Sequence, residues 1–179
     1  AALVAKVTEG YEKYELHNAT RPLALFIDDL STWYVRRSRD RFKEEGSEKT
    51  AALGTLRYVL RTLAHLMAPV TPFIAEEHYR AVRTNDDPES VHLSEWPEAG
   101  AIDASLGEAM TQVRAFASDA LKLRQQANLN VSQALGSLSI PGTLTDELAQ
   151  LLADEVNVLK VVQNADTVAI DTTLTPELI

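Results

Sequence analysis

The stretch from Ser47 to Ala68 restricts the fold more than any other, because it carries a helical stripe that has to be covered. Leu53, Leu56, Val59, Leu60, Leu63 and Met67 recur at three- and four-residue steps, the spacing of an amphipathic helix. Pro69 stops this helix. Thr71-Pro72 then supplies an N-cap and a proline at the first helical position, which opens a helix to about Arg83. Upstream, residues 2–19 read as a first helix on Leu3, Val7, Tyr11, Tyr14 and His17, broken at Arg21-Pro22. Pro22 suits the first turn of a central helix, which Gly46-Ser47 ends while capping the next. Asn85-Asp86-Asp87-Pro88 is a loop, and Ser90 to Pro97 is expected to be short and extended. Residues 103–127 form another helix, with Leu106, Met110, Val113, Ala117 and Leu121 facing inward. Such a series folds as an up-and-down helix bundle.

After Asn128 the texture changes. Leu138-Ile140, Val156-Val162 and Thr167-Thr173 are rich in β-branched residues, with a helix at about 145–154 between the first two. Asn164-Ala165-Asp166 reads as a tight hairpin. The expected architecture is therefore mainly α: a helical bundle over 1–128, then a small α/β appendage over 129–179.

At 179 residues the chain is long enough to bury roughly 70% of its unfolded surface. It has no cysteine, which excludes a disulfide framework, a thiolate nucleophile and a cysteine-based zinc site. The four histidines, His17, His65, His78 and His92, lack metal-ligand spacing. No apolar run approaches the ~18 residues of a membrane span, and the start lacks the basic-then-apolar order of a signal peptide, so a cytoplasmic location is the default. A net charge of −9 disfavours long-range attraction of nucleic acid. It permits a local basic surface, because screening acts over about 8 Å at physiological salt.

One such surface exists. Within LFIDDLSTWYVRRSRDRF, Leu25 to Phe42, and Lys43 beyond it, residues 36–43 hold five cations and one anion; the remaining chain holds 12 cations and 25 anions. On a straight helix of about 100° per residue, Phe26, Ile27, Leu30, Trp33 and Tyr34 share one apolar stripe. Arg36, Arg39 and Lys43 lie on the opposite, polar side, while Arg37 and Arg41 continue the stripe, with Glu45 one turn past Arg41. These five cations either form a solvated basic face paired to acids elsewhere or, together with Trp33 as anchor or stacking ring, are the candidate RNA-binding residues; composition alone does not choose between the two. No catalytic set accompanies them. Asp28-Asp29 reads as a cap or as partners for nearby bases.

The order of those residues resembles the anticodon-binding helical domain of isoleucyl-tRNA synthetases, whose pattern is roughly Phe-Ile-Asp-Asp-Leu-Ser-Asn-Trp-Tyr-Ile-Arg-Arg-Ser-Arg. Here Thr32 replaces the Asn and Val35 the Ile. AALGTLRYVLRTLAHLMAPVTPFIAEEHY, SVHLSEWP, LRQQANLNVSQAL and DEVNVLKV resemble later stretches of the same family, so the likeness runs with gaps from about Tyr11 to Val162. It departs at Ser132 and Ala134, where the family usually has Arg and Pro. The valyl enzyme's equivalent helix usually has an acid where this chain has Arg36.

The resemblance implies an RNA-binding module that receives the anticodon stem-loop of isoleucine tRNA, in a monomer, with the rest of a synthetase as its other partner. The family's ATP signatures, His-Ile-Gly-His and Lys-Met-Ser-Lys-Ser, do not occur in this sequence. No cofactor is expected here; ATP and Mg belong to the family's catalytic core. The alternative from a different class is a protein-interaction bundle whose basic helix docks an acidic partner.

Overall fold

A turn at Lys13–Glu15, and not the proline at 22, separates the first two helices. The structure, a computed structural model, describes residues 1–173. In it α1 spans Ala2–Glu12 and α2 spans Leu16–Asp29. Tyr14 adopts a left-handed φ of 57°, and Glu15 N–H closes the turn on Gly10 O at 2.8 Å. Tyr14 and His17, expected on the inner stripe, are both exposed. Pro22 sits inside α2, where it deprives Asn18 O of its helical donor. Asn18 is exposed, so water can take that place, and the burial of Ala19 and Leu23 holds the helix through the proline.

The α1–α2 hairpin closes to backbone contact. A Cβ added at Gly10 would lie 2.6 Å from Ala19 N and 2.9 Å from its Cα, so the glycine is required by the approach of two main chains. Gly10→Ala is expected to destabilise the protein by about 1–3 kcal/mol through overpacking, more than the ~1 kcal/mol that alanine gains in helix propensity. Thermal melts of the two proteins check this.

The chain divides into two units, Ala1–Ile102 and Asp103 onward. In the first, Val4 and Val7 of α1, Ala19 and Leu23 of α2, and Leu63 and Leu66 of α4 (Ser47–Met67) form one core. Ala64 joins Ala75 and Tyr79 of α5 (Pro72–Val82) and Val91 in a second. Only the C-terminal half of the α4 stripe is deeply covered; Leu53, near its start, is 43% exposed. Between α2 and α4 lie a π-helical turn, Leu30–Val35, and the short α3, Arg39–Lys43.

The Ser90–Pro97 segment is not extended: Val91–Leu93 form a single 3-10 turn. The Glu76 carboxylate accepts from Ser90 Oγ at 2.8 Å and from Val91 N–H at 3.0 Å, which holds the turn against α5. Trp96 Nε1 donates to Thr8 Oγ1 at 2.8 Å, and its ring stands edge-on to Tyr11 with centroids 5.6 Å apart. Tyr11 in turn donates to Leu66 O at 3.1 Å. The strap thus ties α5 back to α1 and α4.

The second unit begins with α6 (Ala104–Gln126), N-capped by Asp103, whose carboxylate accepts from Leu106 N–H at 2.9 Å. β1 (Leu135–Ser139), α7 (Asp146–Val156), β2 (Val158–Val162) and β3 (Ala169–Ile170) follow. The sheet order is β2-β1-β3. β1 and β2 run parallel, with Leu135 opposite Val158, as a crossover through α7 requires. β3 lies antiparallel on the other side of β1. The segment at Asn164 is therefore not a hairpin: β2 and β3 are not neighbours. Asn164 and Ala165 N–H groups instead donate to Gly142 O and Ile140 O, carrying the chain past the end of β1. Since α6 packs on α7 and β3, the packing divides the chain at 102/103, where the change of composition suggested 128/129. Residues 174–179 of the expected appendage lie outside the described residues.

Candidate nucleic-acid interface

The basic segment leaves the path of a straight helix at Leu30. Through Val35 the chain winds in the wider π form, and at its end Arg36 N–H closes a tighter, three-residue return on Trp33 O. Two side chains hold this turn. Thr32 Oγ1 donates to Asp28 O at 2.8 Å, and Tyr34 OH reaches across to Ala52 O of α4 at 3.0 Å. A second irregularity follows at Ser38 (φ −85°, ψ 2°), which is buried and precedes α3. The 100° wheel therefore loses phase beyond Leu30. Arg41, expected to continue the apolar stripe, is exposed, and Ser38 takes an inward place instead.

Arg36, Arg39, Arg41 and Lys43 all reach solvent, while Arg37 and Trp33 are half-buried. Arg36 Nε donates to Thr32 O at 2.7 Å, folding the guanidinium along its own turn. Arg41 pairs with Glu48 of α4 at 3.1 Å, not with Glu45 as its spacing suggested; the change of direction at Ser38 points it toward α4. Lys43 lies 3.4 Å from Asp40. Both pairs are exposed and worth at most about 1 kcal/mol, so an incoming phosphate can replace either acid at little cost. Arginine forks on a fixed turn suit bidentate phosphate contacts. Nothing in the arrangement is a nucleophile–base pair, and among the described residues no three metal-ligating side chains converge. His65 Nδ1 meets Arg61 O at 2.7 Å and His78 Nε2 meets Leu60 O at 3.1 Å, inside the helical packing. Among the described residues no helix is long and apolar enough to cross a membrane.

Composition showed where the cations lie. It had no means of showing how they are held, since Tyr34–Ala52 and Arg41–Glu48 join separate helices. Tyr34 is the residue the sequence underrated, because its role depends on a partner carbonyl 18 residues away.

The first unit thus carries an exposed arginine-rich turn on a chain otherwise dominated by acids. Residues 1–139 match the family described as the anticodon-binding domain of tRNA ligase, and the chain belongs to that family. The isoleucine–tRNA ligase of Methanopyrus kandleri is 41% identical over 170 residues, covering 89% of this chain and 16% of that protein. Those of Thermobifida fusca (40% over 167 residues; 89% and 16%) and Chlamydia trachomatis (38% over 182 residues; 97% and 18%) are similarly close. The chain thus spans between 16% and 18% of the length of these curated relatives.

Proposed function

We propose that this domain binds the anticodon stem-loop of isoleucine tRNA and positions it for ATP- and Mg-dependent aminoacylation by an isoleucine–tRNA ligase. The family match over residues 1–139, with isoleucine–tRNA ligases as relatives over most of the chain, carries this reading. Arg36, Arg39 and Lys43 hold the phosphate backbone, with Arg37 and Arg41 beside them. Phosphate contacts set register, and bases in the loop are read by stacking and edge contacts. The remaining partner is the rest of the synthetase, in a monomeric cytoplasmic enzyme.

Labelled anticodon stem-loops titrated at two salt concentrations against wild type and an Arg36→Gln/Arg39→Gln/Lys43→Gln variant test the proposal. The variant is expected to bind more weakly while melting close to wild type. Removing one cation–phosphate interaction should flatten the log–log salt dependence by about 0.7–0.9. Isoleucine tRNA should be preferred over valine tRNA, and the preference should vanish when the loop is removed. Equal binding by both proteins would exclude this segment as the RNA surface.

A further inference from the structure

A straight helix through the basic segment would put arginines where the core needs apolar groups. Around such a helix Arg37 and Arg41 would stand about 20° and 60° from Phe26, and Ser38 and Phe42 about 120° and 160°. The structure reverses the assignment: Ser38 is buried, Phe42 is half-buried and Arg41 is exposed. Phe26 and Leu30 pack against the core ahead of the π turn. Beyond it, Ser38 N–H bonds Tyr34 O at 2.9 Å and Phe42 N–H bonds Ser38 O at 3.0 Å, so Tyr34, Ser38 and Phe42 follow one face. The π turn accounts for the change. It closes on the fifth residue in place of the fourth, which sets the chain after it back by one residue, about 100° on an α-helix. Positions 38 and 42 thereby take the inward places of 37 and 41, and the cost of turning two guanidiniums into the core is avoided.

We infer that Tyr34 is a positioning residue for RNA binding, because its hydroxyl fixes the register in which Arg37 and Arg41 leave the apolar stripe. The inference rests on the proposed function. Of the two side chains that hold the turn, Thr32 bonds within its own helix, to Asp28 O. Tyr34 refers the turn to a second helix, since the carbonyl it reaches belongs to Ala52, which is fully buried in α4. Glu48, one turn earlier on α4, takes Arg41, which requires Arg41 to point away from the stripe. The hydroxyl therefore selects between two windings of one sequence. The first leaves Arg41 at the surface with Arg36, Arg39 and Lys43; the second turns it inward. Cations held in advance meet a phosphate backbone without first being ordered, which raises affinity with no contact from Tyr34 itself.

The test uses the full 179-residue chain and a labelled anticodon stem-loop, with the Arg36/Arg39/Lys43 triple variant as reference. Tyr34→Phe is expected to weaken binding several-fold and to flatten the salt slope, although it removes a hydroxyl and no cation. A direct hydrogen bond from Tyr34 to RNA would lower affinity with the slope unchanged. A merely structural hydroxyl would lower the melting temperature and leave affinity and slope at wild type. In an Arg37→Gln/Arg41→Gln background, Tyr34→Phe is expected to cost little further affinity, because the cations it orients are gone; fully additive losses would overturn the inference. Since the chain has no cysteine, Ser38→Cys reads the register without RNA. Its thiol should label slowly, and several-fold faster once Tyr34→Phe is added; equally slow labelling would show that the turn does not depend on Tyr34. All comparisons are made well below the melting temperature of each protein. Wild-type affinity in Tyr34→Phe, alongside weakened binding in the triple variant, would overturn the positioning role and leave the RNA surface standing. Wild-type affinity in the triple variant would overturn the RNA reading itself.

Discussion

Arg124→Met is expected to lower unfolding free energy by about 3–5 kcal/mol, because it removes three charge-assisted hydrogen bonds donated by one buried guanidinium. Arg124 is 1% exposed and, among the described residues, pairs with no acid. Its Nε donates to Val156 O at 3.0 Å, Nη1 to Asn130 O at 2.9 Å and Nη2 to Asn157 O at 2.8 Å. These carbonyls lie at the end of α7, in the turn before β2 and in the loop after α6, so one guanidinium closes the corner of the second unit. Burial pulls its pKa below the usual arginine range, but the group stays charged, and the carbonyl dipoles stand in for a counter-ion. Asn157 supports the same corner: it takes the left-handed C-cap of α7 (φ 52°), and its Nδ2 donates to Val131 O at 2.8 Å. Methionine fills the volume and restores none of the three donors. Arg124→Lys can reach one carbonyl at a time and should fall between. Urea unfolding measures the difference. Anticodon stem-loop affinity should not change under conditions where the variant is folded. A loss of RNA affinity with no loss of stability would reverse the assignment and make Arg124 a ligand contact.

Arg124 also shows what a sequence conceals. In LKLRQQAN it looks like any cation near a helix C-terminus, and only the return of β2 to the sheet surrounds it with carbonyls. Elements whose signals are local were legible: the α4 stripe, the Thr71-Pro72 start of α5 and the Thr145 start of α7 stand close to where their residues place them. Pro22 misled because its penalty is local whereas the packing of Ala19 and Leu23 that outweighs it is not. The supposed hairpin at Asn164 failed for the same reason: turn residues announce a change of direction, but strand order decides which edge the next strand joins. In the basic segment the residue types were legible from charge density and motif order. Their geometry was not, since a π turn pinned by Tyr34 on Ala52 is a tertiary event.

Asp87→Ala is expected to lower stability at pH 7 by about 2–3 kcal/mol, the scale of hydrogen bonds to a charged group, and the deficit should shrink in acid. The Asp87 carboxylate accepts from Thr84 N–H at 2.7 Å and from its hydroxyl at 3.0 Å, and it pairs with Arg61 of α4. One side chain therefore closes the loop after α5 and fastens it to α4, where Tyr79 OH donates to Pro88 O at 3.1 Å. The Thr84 N–H, ahead of the Thr84 hydroxyl and Arg61, holds the Asp87 carboxyl below the usual carboxylate range against the opposing effect of burial. Because the folded pKa is depressed, the stabilisation is present above the unfolded value, about 3.9, and is lost as pH falls through the folded one. Glu76 moves in the same direction, chiefly through the Ser90 hydroxyl and with help from Val91 N–H and Arg80, so its hold on the strap also weakens in acid. Urea unfolding of wild type and Asp87→Ala at pH 7, 4 and 3 reads the effect. The two proteins should converge as the wild-type carboxyl gains its proton, while Asp87→Asn, which keeps an acceptor for Thr84 N–H, should lose less at pH 7 and vary less with pH. A deficit of equal size at all three pH values would assign the role of Asp87 to packing of the loop and not to its charge.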